Sequence, residues 1–232
     1  MSGNVEPLTV LLVAATRSEV SLLPGVGSRD TDDPESGLPE FIPALGTDLL
    51  ITGPGIAATV FHTTRALILK PYRLAMNLGV AGSFVPEFEP GMVLRVIRDR
   101  FADLGSESSG GFTTGENLPF TGLKLPPYNQ GWLEPETVVP EFTKNLPEAI
   151  AISSDTIHTD PASVNRLRVL FQPGIETMEG AAFFYAAAML GVPCLQIRAV
   201  SNRVAPRKKA GWDLETAVEN LCRHVTENLC HL

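Results

Sequence analysis

Apolar positions along the chain alternate between short unbroken runs and runs spaced by three and four. Residues 8–15 (LTVLLVAA) form a continuous aliphatic and β-branched stretch, the pattern of a strand covered on both faces. Shorter runs at 48–52, 74–79, 92–97, 149–153 and 193–200 read as further strands. Between them, 57–70, 162–171 and 180–190 have helical spacing. A last segment, 213–229, puts Leu214, Ala217, Val218, Leu221, Cys222, Val225 and Leu229 on one face behind Asp213, a suitable N-cap. Strands alternating with helices predict an α/β fold, a mostly parallel sheet between helical layers with any ligand at the carboxyl ends of the strands. Two stretches break the rhythm: 24–43 is polar and turn-rich, and 104–147 holds 12 of the 39 Pro and Gly residues. A segment of that second length without periodicity is usually a lid, a binding loop or an oligomer contact. No repeat or second domain is evident, so residues 1–232 are expected to form one domain.

Composition narrows the class. Of 232 residues 44% are hydrophobic and 19% charged, and no apolar run approaches a membrane span; a soluble, compact protein is expected. The net charge of −8 argues against a general nucleic-acid or anionic-membrane binder. That total is unevenly spread: residues 101–165 carry 2 basic and 9 acidic groups, residues 166–209 carry 7 basic and 2 acidic. The three cysteines, Cys194, Cys222 and Cys230, form no CxxC pair, so neither a disulfide framework nor a zinc site is suggested. The residues ahead of the first apolar run include Glu6 and no Lys or Arg, unlike a secretory signal. A reducing cytoplasm is the default expectation.

Several motifs carry less than their outline suggests. Gly53-Pro54-Gly55-Ile56-Ala57-Ala58 matches a dinucleotide fingerprint. However, no acid occurs from 56 to 86 to hold a ribose, and Pro54 removes a backbone N–H from the turn. A tight strand-to-helix turn needing glycine dihedrals is the simpler reading. No P-loop, GxSxG elbow or HExxH spacing is present. What remains are polar groups near strand ends. Glu19 is either a first-turn helix acid or a site carboxylate. Glu179 precedes an almost wholly apolar helix, so it is expected to be semi-buried and to need a partner. Asn202 is either a turn residue or a site amide, and His158 is notable only for lying just past a strand.

Four segments in order resemble the nucleoside phosphorylase and nucleosidase superfamily. They are Ala15-Thr16-Arg17-Ser18-Glu19-Val20, Asn77-Leu78-Gly79-Val80-Ala81-Gly82, the Met178-Glu179 pair before an Ala-rich helix, and Arg198-Ala199-Val200-Ser201-Asn202. The resemblance implies a three-layer α/β sandwich with a twisted, mixed central sheet, a small-molecule nucleoside substrate, no metal or other cofactor, and homodimers or larger oligomers whose neighbouring subunit completes the pocket. It assigns Glu19 to the attacking water, Met178 to packing on the ribose and Glu179 to its hydroxyls. Ala81 and Gly82 would offer backbone to sugar and base, Ile157 and His158 would line the base slot, and Thr177 and Ser201 flank these positions. Loss of a base from a sugar passes through a positively charged, oxocarbenium-like state, which nearby carboxylates stabilise.

The adenine-specific members of that superfamily have Asp where this chain has Asn202. An amide donates through its NH₂ and accepts through its C=O, matching O6 and the N7–H of a departing 6-oxopurine, so hypoxanthine is the expected leaving base. The run from Glu176 to Phe184, with Ser201-Asn202-Arg203-Val204, Pro206-Arg207 and Trp212, resembles the futalosine-cleaving branch, which releases hypoxanthine on the way to menaquinone. The alternatives are cleavage of methylthioadenosine, S-adenosylhomocysteine or aminodeoxyfutalosine, or a phosphate-dependent phosphorylase. The GDPxR turn by which phosphorylases of the superfamily bind phosphate is absent, which favours water. Arg17 is read as a surface helix residue, with phosphate binding as its other reading. The basic cluster Arg203, Arg207, Lys208 and Lys209 is either a solvated loop or a site, through Arg203 and Arg207, for the benzoate carboxylate of futalosine.

Overall fold

A computed structural model describes residues 9–27, 37–134, 140–204 and 212–229. In chain order its strands and helices are β1 (Val10–Ala14), β2 (Glu40–Ile42), β3 (Thr47–Ile51), α1 (Ile56–Leu69), β4 (Leu74–Ser83), β5 (Val93–Arg98), β6 (Gly105–Ser108), β7 (Gly111–Thr114), β8 (Tyr128–Asn129), β9 (Trp132–Leu133), β10 (Glu148–Ser153), α2 (Pro161–Phe171), β11 (Ile175–Thr177), α3 (Gly180–Leu190), β12 (Cys194–Arg203) and α4 (Leu214–Asn228). Eight strands form one mixed sheet in the order β11-β10-β5-β12-β4-β1-β3-β2. Its alternating side chains feed two cores, as a sheet with helices on both faces requires. Leu11 and Val13 point to the side of Ala66 and Leu67 on α1 and Phe183, Phe184 and Ala187 on α3. Val10, Leu12 and Ala14 point to Ala217, Leu221, Cys222 and Val225 on α4. Burying each Val, Leu or Phe side chain among them contributes about 1.5–3 kcal/mol. Helix ends follow their sequence signals: Asp160 caps α2 by accepting from Ser163 N at 2.9 Å, and Asp213 caps α4 from Thr216 N at 3.1 Å.

Two features go beyond the expected outline. Strands β4 and β12 each run ten residues, past the predicted ends at 79 and 200. They pair in parallel over that length, with a bulge between Val200 and Asn202. In addition, β11 pairs antiparallel with the end of β4 through Ile175↔Ser83 and Glu176↔Gly82, so β4, β12, β5, β10 and β11 close into a ring. The segment after β5 is not a bare loop either. It contains the β6–β7 and β8–β9 hairpins and is tied down by Arg100, whose guanidinium stacks on Trp132 and Phe171 and pairs with Glu116 at 2.5 Å.

Polar groups run through the core beneath α3. Asp99 is fully buried and accepts from Arg100 N (2.7 Å), Ser153 Oγ (3.0 Å) and Gln196 Nε2 (3.2 Å). The first amides of α3 end on the same cluster, Gly180 N on Thr177 Oγ1 at 3.2 Å and Ala181 N on Ser153 Oγ at 2.8 Å. These bonds satisfy helix donors that lack an intrahelical acceptor. A Cβ at Gly180 would overlap Asp99 and Gln196, so only glycine lets the helix start there.

Burial pushes the Asp99 carboxyl up from 3.8 to about 6, against the hydrogen bonds from Gln196 and Ser153, the charge of Arg198 and the Arg100 amide. The folded state therefore holds this proton at pH values where the unfolded chain has released it. The stabilisation is present below pH 4 and is lost as pH rises through about 6, by about 3 kcal/mol. Urea denaturation midpoints between pH 4 and 7 should fall less steeply with pH in Asp99→Asn than in the parent protein.

Candidate functional site

The carboxyl ends of β1, β3, β4, β11 and β12 meet around a cleft of about 300 Å³ lined by Thr16, Glu19, Val80, Ala81, Gly82, Glu176, Met178, Glu179, Asn202 and Trp212, among others. Glu19 sits in a single 3₁₀ turn, Arg17–Val20, directly after β1. Its Oε1 accepts from Val80 N at 3.0 Å, and its Oε2 accepts from Thr16 N at 3.1 Å and Thr16 Oγ1 at 3.3 Å. The Thr16 contacts form a capping box, so the helix-acid reading describes this residue, whose carboxylate also borders the cleft.

Glu179 lies between β11 and α3, 6% exposed, with Oε1 accepting from Gly55 N at 3.1 Å. Burial is the main cause that raises its carboxyl pKa; Glu19 adds in the same direction, while Arg198 and the Gly55 amide oppose it. The turn that resembled a dinucleotide fingerprint thus directs its amides to carboxylates of its own chain: Ile56 N also donates to Asp155 Oδ1 at 2.7 Å. Gly53 and Gly55 have φ of 80° and 94°, as expected of a turn that needs glycine.

Beneath the two acids lies Arg198, the largest fully buried side chain. Its Nε donates to Gln196 Oε1 at 3.3 Å and its Nη2 to Asn77 Oδ1, while Nη1 is buried with no hydrogen-bond partner among the described residues. A Cβ at Gly79 would overlap Nη1 and stand 2.7 Å from Glu19 Oε1. Glycine there lets guanidinium and carboxylate approach one point. At the other end of the cleft, Asn202 Oδ1 accepts from Ser201 Oγ at 2.8 Å and Nδ2 donates to Arg203 O at 3.0 Å. One amide hydrogen and one oxygen lone pair remain for a ligand.

Glu19, Glu179, Asn202, Ala81, Gly82, Ile157, His158, Thr177, Met178, Ser201 and Arg203 all border this cleft. Thr177 does so with its hydroxyl already engaged by Ser153 and Gly180. Arg203 is not the free cation expected of a carboxylate site. Its guanidinium donates to the carbonyls of Val85 and Pro86 and to Ser83 Oγ, clamping the loop after β4. Arg207, Lys208 and Lys209 lie outside the described residues.

Two further expectations change. Arg17 is buried, not superficial: it pairs with Glu40 at 2.8 Å and donates to Val26 O at 3.2 Å, and it does not line the cleft. Nor does any described residue of 104–147 line it, so that stretch is no lid over this site among the described residues. The sequence reading quoted Arg198, Glu176 and Trp212 within its motifs but gave none of them a role; Glu176 and Trp212 border the cleft, and Arg198 is buried beside it. Glu176 had a signal, since on a strand it shares a face with Met178 two positions on.

The chain belongs to the phosphorylase superfamily, whose family model matches residues 36–232. Within it, a curated futalosine hydrolase of Streptomyces coelicolor is 35% identical over 184 residues, covering 76% of this chain and 75% of that protein. An aminodeoxyfutalosine nucleosidase of Campylobacter jejuni is 32% identical over 146 residues, covering 61% of this chain and 60% of the other. In fold, the structure of a futalosine hydrolase of Helicobacter pylori superposes with a TM-score of 0.77 at 18% identity, over 97% of this chain and 98% of that one.

Proposed function

We propose that this chain is a nucleosidase that hydrolyses the N-glycosidic bond of futalosine, releasing hypoxanthine and dehypoxanthine futalosine for menaquinone biosynthesis. The observation that carries the reading is that Glu19, Glu179 and Asn202 border one cleft, with Arg198 buried beside the two acids. A water between Glu19 and Arg198 Nη1 would receive a hydrogen bond from the guanidinium while Glu19 takes its proton, and its oxygen would attack C1′. Met178 packs on the ribose, and Glu179 accepts from a ribose hydroxyl. Both carboxylates face the sugar as it becomes cationic, so their fixed negative charge stabilises it. As the C–N bond breaks, electrons pass to the base, N7 takes up a proton from solvent water, since the Asn202 amide has none to release, and Asn202 accepts from N7–H while donating to O6.

Water is favoured over phosphate because Glu19, Glu176 and Glu179 line the cleft. A dianion entering beside them would be repelled, and Arg203 and Arg17 are engaged elsewhere. The buried thiols Cys194 and Cys222 are free, which suits a reducing cytoplasm. A homodimer is the proposed assembly. Helix α1 buries Thr59, Thr63, Ala66 and Leu67 but leaves Phe61 and Ile68 61% and 67% exposed, an apolar face that a second copy would cover.

Turnover of futalosine should proceed without phosphate, releasing hypoxanthine by chromatography; a phosphate requirement with sugar 1-phosphate as product would refute the hydrolase. Glu19→Gln should lower kcat by roughly 10²–10⁴-fold while leaving the melting transition in place. Asn202→Asp should shift the ratio of kcat/KM values from futalosine towards its 6-amino analogue. Sedimentation of Phe61→Glu/Ile68→Glu should give monomers where the parent protein sediments as a dimer.

A further inference from the structure

Asp99 is fully buried, yet no step of the proposed reaction uses it. One of its oxygens, Oδ1, is taken up by the Arg100 amide and the Ser153 hydroxyl. The other, Oδ2, accepts from Gln196 Nε2 at 3.2 Å. Gln196 is itself without solvent exposure, and the opposite end of its amide, Oε1, accepts from Arg198 Nε at 3.3 Å and Nη2 at 3.4 Å. A Cβ at Gly180 would overlap both Asp99 Oδ2 and Gln196 Oε1, so the start of α3 is left bare where this contact is made.

The donors and acceptors admit one arrangement. An ionised carboxylate has no proton to give, and a guanidinium has no lone pair to offer. An amide between them therefore turns its NH₂ to Asp99 and its C=O to Arg198. Burial raises the Asp99 carboxyl only to about 6, so this acceptor is present at neutral pH. The other acceptor of the guanidinium is set by backbone: Asn77 takes Arg198 Nη2 on Oδ1 while its Nδ2 donates to Val13 O at 3.1 Å. With Nε and Nη2 held by two oriented amides, the planar, rigid guanidinium has one direction left for Nη1. That nitrogen is buried, has no hydrogen-bond partner among the described residues, and lies beside Gly79 together with Glu19 Oε1.

We infer that Asp99 is a positioning residue for the hydrolysis, acting through Gln196 to hold Arg198 with Nη1 aimed at the water that Glu19 activates. The inference rests on the nucleosidase reading and on the place it gives that water. Asp99 touches neither substrate nor water; its effect is to choose which end of a buried amide meets the cation. Asp99→Asn keeps its single acceptor towards the Arg100 amide, so its NH₂ faces Gln196 Nε2. The Gln196 amide then turns over to accept from it and presents an NH₂ to the guanidinium, donor against donor in a place without water. Arg198 is left with Asn77 alone, and Nη1 loses its aim.

The test is steady-state hydrolysis of futalosine by the full-length parent protein, Asp99→Asn, and Asp99→Asn/Gln196→Glu, with folding of each followed by circular dichroism. Asp99→Asn should lower kcat on the order of 100-fold, the cost of misplacing a group in the reacting geometry, with KM little changed because the cleft lining is intact. Adding Gln196→Glu returns an acceptor to both neighbours at the parent's net charge: one oxygen of the new carboxylate takes the Asn NH₂ and the other takes Arg198. The double variant should therefore recover most of the lost kcat. Should the single variant fail to fold, a folded double variant with kcat near the parent's carries the same support. A single variant with the parent's kcat, or with its loss confined to KM, would overturn the inference. So would a double variant that is unfolded, or folded and no faster than the single, or folded and still on the order of 100-fold below the parent. Each of these leaves hydrolysis by the parent standing; a parent protein that released no hypoxanthine from futalosine would instead overturn the functional reading itself.

Discussion

A guanidinium buried at the centre of the sheet governs the chemistry around it. Arg198 has no exposure to solvent, and an ion in that position is tolerated only when acceptors and counter-charges surround it. Asn77 of β4 and Gln196 of β12 supply acceptors; Asp99 and Glu179 lie close enough for its charge to favour their ionised forms. Residues from both sides of the sheet's midline are thereby committed to one cation. The glycines at 79 and 180 follow from this crowding, since a Cβ at either would overlap a member of the cluster. The cation's remaining nitrogen and Glu19 Oε1 both lie beside Gly79.

Two acids of the cleft, Glu19 and Glu179, are held by backbone amides. Glu19 takes Thr16 N ahead of its 3₁₀ turn and Val80 N within β4, and Glu179 takes Gly55 N at the head of α1. The amides of Thr16 and Gly55 lack intrahelical acceptors, so each carboxylate satisfies a donor that the fold leaves over. The same economy orients Asn202: Ser201 Oγ and Arg203 O set which way the amide points, and Arg203 in turn locks the loop beyond β4. The shape of the cleft and the satisfaction of strand-end donors rest on one set of bonds.

The layering was legible in the amino-acid order because period-two and period-3.6 patterns report directly on burial. Residues 10–14 of the first run, and Ala217, Leu221, Cys222, Val225 and Leu229 of the last stripe, lie in the cores they predicted, whereas Leu214 at the head of that stripe is 47% exposed and Leu8 lies outside the described residues. The motif residues Glu19, Met178, Glu179 and Asn202 were legible as a resemblance, and the structure gathers them around one cleft. The lengths of β4 and β12 were not, because Gly82 and Asn202, each one residue short of its strand's end, are of types that ordinarily end strands; here neighbouring strands supply the pairing. Nor was the burial of Arg17 and Arg198 legible, since a charged residue is read as exposed unless its partner is known. Glu40 stands 23 residues from Arg17 and Asn77 121 from Arg198, separations that no local pattern spans.

The antiparallel pairing of β11 with β4 has a consequence for the protein outside catalysis. A sheet ends in two rows of unpaired amides and carbonyls, and such edges recruit strands from other molecules. By folding one margin back onto the middle, the chain spends that edge internally. The other margin, β2, is only three residues long, and its Glu40 carries a charge tied to Arg17. Short length and charge are both features that blunt an edge. A sheet with an apolar interior can in this way be kept at high concentration in a cell without offering its neighbours a template for fibrous assembly.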